Sequence, residues 1–230
     1  MSTTQPSIRR NIKTAGSILN GRNKLIFILL FLFPLISFGQ RFEGGLMAGF
    51  NGSQIKGDRN YGFHKFGLAG GAWVQTDINE KVFLSMEIKY NQKGNKINPT
   101  IKNDFWLYIY RLNYIDVPVL IGYRYFDYLS FIGGLSFGYL AHSSGEDNYG
   151  PSPTELFTGL NTWELGAFVG CKVKFDRLVD RAWAERFILD FRFQFSAIPI
   201  YTTNGKLFYY SPYSHFNSVI STSLYYRISL

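Results

Sequence analysis

Beyond residue 40, apolar and polar residues alternate with a period of two. Over 82–91, Val82, Leu84, Met86, Ile88 and Tyr90 interleave with Phe83, Ser85, Glu87, Lys89 and Asn91. Over 187–196, Phe187, Leu189, Phe191, Phe193 and Phe195 interleave with Ile188, Asp190, Arg192, Gln194 and Ser196. Successive side chains of a strand point to opposite faces, so each segment predicts one greasy face and one mostly polar face. The pattern predicts eight strands, at 41–51, 64–75, 81–91, 106–123, 128–141, 160–174, 185–197 and 215–230. The intervening segments run long, short, long, short, long, medium, long: 52–63, 76–80, 92–105, 124–127, 142–159, 175–184 and 198–214. An even number of strands with this rhythm fits an all-β, eight-stranded antiparallel up-and-down barrel whose two chain ends share the side of the short turns.

Alternation alone does not say which face is wet. A soluble barrel or sandwich buries its apolar face, whereas a transmembrane barrel turns that face to lipid and fills a narrow interior with side chains. The apolar faces carry Phe66, Tyr90, Phe131, Phe137, Tyr139, Trp163, Phe191 and Phe193, and the opposite faces carry many Gly, Ser and charged residues. The first set overfills the core of eight short strands, and the second set makes no dry core. Both points favour lipid outside.

The segment before the first strand agrees. Arg9, Arg10, Lys13, Arg22 and Lys24 precede an unbroken apolar run from Leu25 to Ile36, and the first acidic residue of the chain is Glu43. A spanning helix needs about 20 apolar residues, so the run reads as the core of a secretory signal peptide. Ser37 and Gly39 supply small residues for a cut before Gln40. Residues 1–39 are therefore expected to be a leader and 40–230 a single barrel domain. The leader also explains the basicity. It takes five of the 24 basic residues and none of the 16 acidic ones, lowering the net charge from +8 to +3. No Lys/Arg-rich run remains, and a nucleic-acid partner is set aside. The single Cys171 excludes an internal disulfide framework.

The face predicted to point inward holds Glu43, Lys65, Glu87, Lys89, Asp116, Glu164, Lys172, Asp190, Arg192 and Arg227, five of each sign. Charges kept from both lipid and bulk water must pair, so these residues are expected to form a structural lumenal network. The alternative for the same residues, a proton or ion path, needs an opening that so narrow a barrel does not leave. Glycines at Gly44-Gly45, Gly67, Gly70-Gly71, Gly133-Gly134, Gly138, Gly166 and Gly170 lie within strand patterns and mark close packing or bends, not phosphate-binding loops. Pro118 within the fourth strand predicts a bulge or a missing ladder bond. His64, His142 and His215 fall at or near the long-loop strand ends, with Ser143, Ser144 and Glu146 close in sequence. A His and Ser at that rim would suit a lipid-modifying enzyme. No pair of them has metal-ligand spacing, and solvated loop residues account for them. Tyr209, Tyr210 and Tyr213 read as part of an interfacial aromatic girdle. No catalytic, metal-binding or cofactor-binding residue is assigned.

Four segments carry a resemblance: Gly45-Leu-Met-Ala-Gly-Phe-Asn51, Ser53-Gln-Ile-Lys-Gly-Asp58, Glu87-Ile-Lys-Tyr-Asn-Gln-Lys-Gly94 and Leu112-Asn-Tyr-Ile-Asp-Val-Pro-Val-Leu120. The chain resembles the PorT-type outer-membrane β-barrel proteins of Bacteroidota, most strongly over 41 to about 141. The resemblance implies an eight-stranded outer-membrane barrel and, for its namesake members, an accessory role in protein secretion or gliding. It supplies no catalytic residues. The expectation is thus a non-enzymatic integral barrel in contact with outer-membrane lipid and other envelope proteins. Its rivals are a rim-active lipid-modifying enzyme and a soluble periplasmic barrel binding an apolar ligand.

Overall fold

The computed structural model describes residues 42–57, 62–151, 159–177, 179, 181–201 and 214–228. The expected leader and the Tyr209, Tyr210 and Tyr213 girdle lie outside the described residues. Nine strands are present among the described residues: β1 (Phe42–Lys56), β2 (Lys65–Asp77), β3 (Val82–Ile97), β4 (Tyr108–Arg124), β5 (Leu129–Asp147), β6 (Gly150–Pro151), β7 (Trp163–Lys174), β8 (Phe187–Ser196) and β9 (Phe216–Ile228). Each strand pairs antiparallel with its ring neighbours, from β1 through β5 to β7, β8 and β9, and β9 closes on β1. Eight strands make the ring, and the two-residue β6 folds back on Glu146 and Asp147 of β5. Short 3-10 turns at Ile101–Asn103, Phe175–Arg177 and Ala182–Arg186 sit in the connections.

The short turns follow from local hydrogen bonding. In 78–81, Asn79 Oδ1 accepts from the backbone N–H groups of Lys81 at 2.9 Å and Val82 at 2.8 Å, and so reverses the chain. In 125–128, the N–H groups of Tyr125 and Phe126 both donate to the Leu129 carbonyl. The exposed Tyr125, Phe126 and Tyr128 make this end an aromatic rim. Both turns lie with the start of β1 and the end of β9 at the end that faces the periplasm in such barrels, together with the twelve-residue β7–β8 connection and its two 3-10 turns, and the other connections lie at the opposite end.

Alternation places the apolar face outward. On β3, Leu84, Met86, Ile88 and Tyr90 are exposed, whereas Phe83, Ser85, Glu87, Lys89 and Asn91 are buried. On β8, Phe191 is 41% exposed and Arg192 is 4% exposed. The structure runs opposite to a soluble barrel, whose apolar residues would face a shared core. A band of large apolar side chains surrounds the wall.

At the loop end the strands overrun the sequence pattern: β1 reaches Lys56, β3 Ile97 and β5 Asp147, each five or six residues beyond the expected 51, 91 and 141. There the outward positions become polar, such as Gln92 and Lys96 on β3, so the period disappears although the backbone ladder continues. Pro118 acts as its missing N–H requires. The β3–β4 ladder runs from Val82↔Tyr123 to Met86↔Val119 and resumes at Lys89↔Asp116 in the same register. The register shift on β4 occurs elsewhere, between Asn113 and Tyr114 against β5.

Candidate functional site

Inward-facing residues fill the lumen in layers that can be read along β3 and β4. Toward the periplasmic end lie two apolar clusters, Met47, Trp73, Ile188 and Tyr225 on one side and Phe83, Leu120, Ile132 and Phe168 on the other. Phe83 lies directly across from Gly122, where a Cβ would meet the Phe83 ring at 2.0 Å. A glycine is needed there because the ring lies flat over its backbone.

Next comes an ionic layer centred on Glu87 and Arg192. The guanidinium donates to both Glu87 oxygens, Nη1 at 2.9 Å and Nη2 at 2.6 Å, and Nη2 also reaches Asp190 at 2.9 Å. The Tyr225 hydroxyl accepts from Arg192 at 2.7 Å and donates to Glu87 at 2.8 Å. Lys172 Nζ stands 3.8 Å from Glu87 and 4.2 Å from the centre of the Tyr225 ring. The bidentate fork fixes the geometry that a single buried cation would leave loose.

A second ionic layer lies toward the loops. Lys93 Nζ sits 3.1 Å from Asp116 and 3.1 Å from Glu164. Asn91 donates to Asp116 at 2.9 Å, while Ser196 at 2.7 Å and Asn217 at 3.0 Å donate to Glu164. Gly138 makes room for this layer, since a Cβ there would stand 2.7 Å from an Asp116 oxygen. Lys89 pairs across the strands with Asp116 and lies within Coulombic range of Glu87, Asp190 and Asp116. The acids Glu87, Asp116, Glu164 and Asp190 thus face the bases Lys89, Lys93, Lys172 and Arg192, and all eight are buried. Above them Ile55, Tyr108, Tyr110, Leu112, Tyr114, Ile200 and Tyr201 form an apolar cap.

Of the ten inward charges read from the sequence, Glu87, Lys89, Asp116, Glu164, Lys172, Asp190 and Arg192 lie in these two layers. Glu43 and Arg227 stand apart at the periplasmic mouth, 3.4 Å from each other and partly exposed, because each lies next to the end of its strand. Lys65 is buried at the loop end, and its Nζ donates to the Phe66 carbonyl at 2.7 Å, with no acid partner among the described residues. Lys93, the hub of the second layer, was missed because the sequence pattern ends β3 at residue 91. The run of inward polar residues Asn91, Lys93 and Asn95 was its only signal.

The three histidines occupy different environments. His64 and His142 are exposed, whereas His215 is buried against the Tyr201 ring, with centroids 5.6 Å apart. Burial pushes the His215 imidazole below its usual pKa. His215 is therefore not the solvated loop residue its position suggested. Glu146, close to His142 in sequence, pairs with Arg111 at 2.6 Å.

An apolar band outside a ring of eight strands, closed without a free edge around buried ion pairs, is the construction of a barrel that lives in lipid. The family described as outer membrane protein beta-barrel domain matches residues 33–201. The chain belongs to this family. It is an integral outer-membrane β-barrel protein. Among solved structures, the Neisserial surface protein A is similar at 12% identity, with a TM-score of 0.50 over 83% of this chain and 99% of that one. Ail, the attachment invasion locus protein of Yersinia pestis, is similar at 13% identity and a TM-score of 0.46, over 82% and 99%. A de novo designed transmembrane β-barrel is similar at 13% identity and a TM-score of 0.38, over 82% and 99%. At such identities the first of these likenesses concerns the fold alone. No curated protein sequence matches the chain.

Proposed function

We propose that this outer-membrane barrel is a non-enzymatic interaction component of the cell envelope, exported through its N-terminal leader, with its partners engaged at the two ends of the barrel. The observation that carries this reading is the filled lumen. Eight buried charges and three apolar clusters occupy the interior from Phe83 to Tyr108. Among the described residues a lumen so plugged leaves no open aqueous path past its ionic layers, the recess of about 290 Å³ between Glu43, Lys172 and Arg227 lies at the periplasmic mouth, and the outer wall is committed to lipid. The PorT-type resemblance adds the finer reading, an accessory role in protein secretion or gliding.

Crosslinking of the intact barrel in native outer membranes, followed by purification and mass spectrometry, tests the proposal. A recurrent envelope protein joined through the loop or turn residues supports it; lipids alone on all crosslinked products would refute it. The enzyme alternative has its own test. Replacing His64, His142 and His215 together should leave lipid A and phospholipid profiles unchanged, and an altered profile would restore a catalytic rim.

A further inference from the structure

The barrel wall is notched between β2 and β3 at the loop end. On one side of β2, the ladder with β1 continues to Ser53↔Lys65, and on the far side of β3, the ladder with β4 continues to Ile97↔Tyr108. The β2–β3 ladder itself stops at Ala69↔Asn91. Beyond that point a side chain stands in for backbone, with Gln92 Oε1 accepting from the Leu68 N–H at 3.2 Å. The gap holds a cavity of about 390 Å³ lined by His64, Lys65, Phe66, Gln92, Lys96, Ile109, Arg111 and Asn113.

Most of this lining faces outward. Gln92, Lys96, Ile109, Arg111 and Asn113 alternate with the buried inward residues Lys93, Asn95, Tyr108, Tyr110 and Leu112. The chemistry is one-sided in charge. Lys65, Lys96 and Arg111 are cations, and among the described residues the one acid paired there is Glu146, which takes Arg111. Neither Lys65 nor Lys96 has an acid partner among the described residues. Immediately below, toward mid-membrane, the wall is apolar: Phe66 is 64% exposed and stacks on Phe50 at 5.7 Å, and Leu68 is 57% exposed.

We infer that this notch is a lateral site for the phosphorylated head group of an outer-leaflet lipid, seated from the membrane side. A phosphate needs several convergent donors and a positive field, which Lys65, Lys96 and the Arg111 fork supply. Acyl chains attached to it need an apolar surface directly below, which Phe50, Phe66 and Leu68 supply. A basic recess between membrane elements at head-group depth is the form that lipid-specific recognition takes. Both requirements meet where the ladder opens.

The test uses the full protein purified in detergent and native mass spectrometry with three probes: diphosphoryl lipid A, the same lipid without its phosphates, and inorganic phosphate. Diphosphoryl lipid A should be retained, and Lys96→Gln with Arg111→Gln should weaken retention at least about tenfold, the worth of one charge-assisted hydrogen bond. Lys81→Gln, in a periplasmic turn, should change nothing. Heat-dependent electrophoretic mobility reports whether each variant is folded, and if the double variant is not, Lys96→Gln alone carries the measurement. Equal retention by wild type and a folded variant would overturn the site. Equal retention of the dephosphorylated lipid would overturn phosphate recognition, and displacement of lipid A by inorganic phosphate at similar concentration would overturn the lipid assignment.

Discussion

Glu87→Leu is the sharpest probe of the lumen. The carboxylate is 2% exposed and accepts two bonds from Arg192 and one from Tyr225, with Lys172 at 3.8 Å. Its removal leaves Arg192 with Asp190 as its remaining acid partner, strips Lys172 of its nearest carboxylate, and unbalances an interior with equal numbers of acids and bases. Removing one partner of a buried pair costs about 3–5 kcal/mol, because the survivor stays charged and cannot reach water. A matched substitution at the mouth gives the scale. Glu43→Leu breaks a partly exposed 3.4 Å pair with Arg227 and should cost under about 1 kcal/mol. The assay is urea unfolding of the barrel in lipid vesicles, followed by tryptophan fluorescence and electrophoretic mobility. The double variant Glu87→Leu/Arg192→Leu should cost less than the sum of its parts by about 1–3 kcal/mol. Equal effects at Glu87 and Glu43, or strict additivity in the double variant, would refute the buried network.

Four further outcomes are expected. A spin label at 191 should be reached better by oxygen than by a water-soluble relaxant, and a label at 192 should not; equal access would mean that the wall is turned the wrong way. Phe191→Arg should cost about 2–4 kcal/mol if the position lies near mid-bilayer, and Arg192→Gln should cost at least as much, since it breaks the buried Glu87 pair. Gly122→Val should cost about 1–3 kcal/mol by forcing the Phe83 ring from its seat, measured by the same unfolding assay; an unchanged stability would show that the ring moves freely. Mass spectrometry of exported protein should find an N-terminus at or near Gln40, and a mature chain beginning at Met1 would exclude the leader.

The strands were legible because lipid and lumen impose opposite demands on neighbouring residues. The alternation of Leu84, Met86, Ile88 and Tyr90 with Ser85, Glu87, Lys89 and Asn91 is a record of those demands, residue by residue. It records the environment and not the hydrogen bonding. Where β3 rises past the hydrocarbon layer, Gln92, Gly94 and Lys96 no longer meet acyl chains, so the pattern ends while the strand continues to Ile97. That physical limit hid Lys93, the extensions of β1 and β5, and the notch beside Lys96. The apolar cap was hidden for a related reason: Tyr108, Tyr110, Leu112 and Tyr114 face inward on a strand whose outward residues are also partly apolar, so neither face stood out.

Pairing within the lumen lies a step further from the sequence. Period two assigns Glu87 and Arg192 to the inner face but says nothing about height, and in a barrel height decides who meets whom. Glu87 finds Arg192 across the interior, 105 residues away and on a strand that is not its neighbour. Their meeting requires every intervening ladder to hold its register, since a slip of one residue would turn the charge of one partner into lipid. The buried ion pairs therefore act on the fold as well as resting on it. A wrong register strands a charge in hydrocarbon or leaves its partner alone in the lumen, and either penalty is comparable with a large share of a domain's net stability. The balanced lumen selects one closure of the ring among those that the apolar pattern alone would permit.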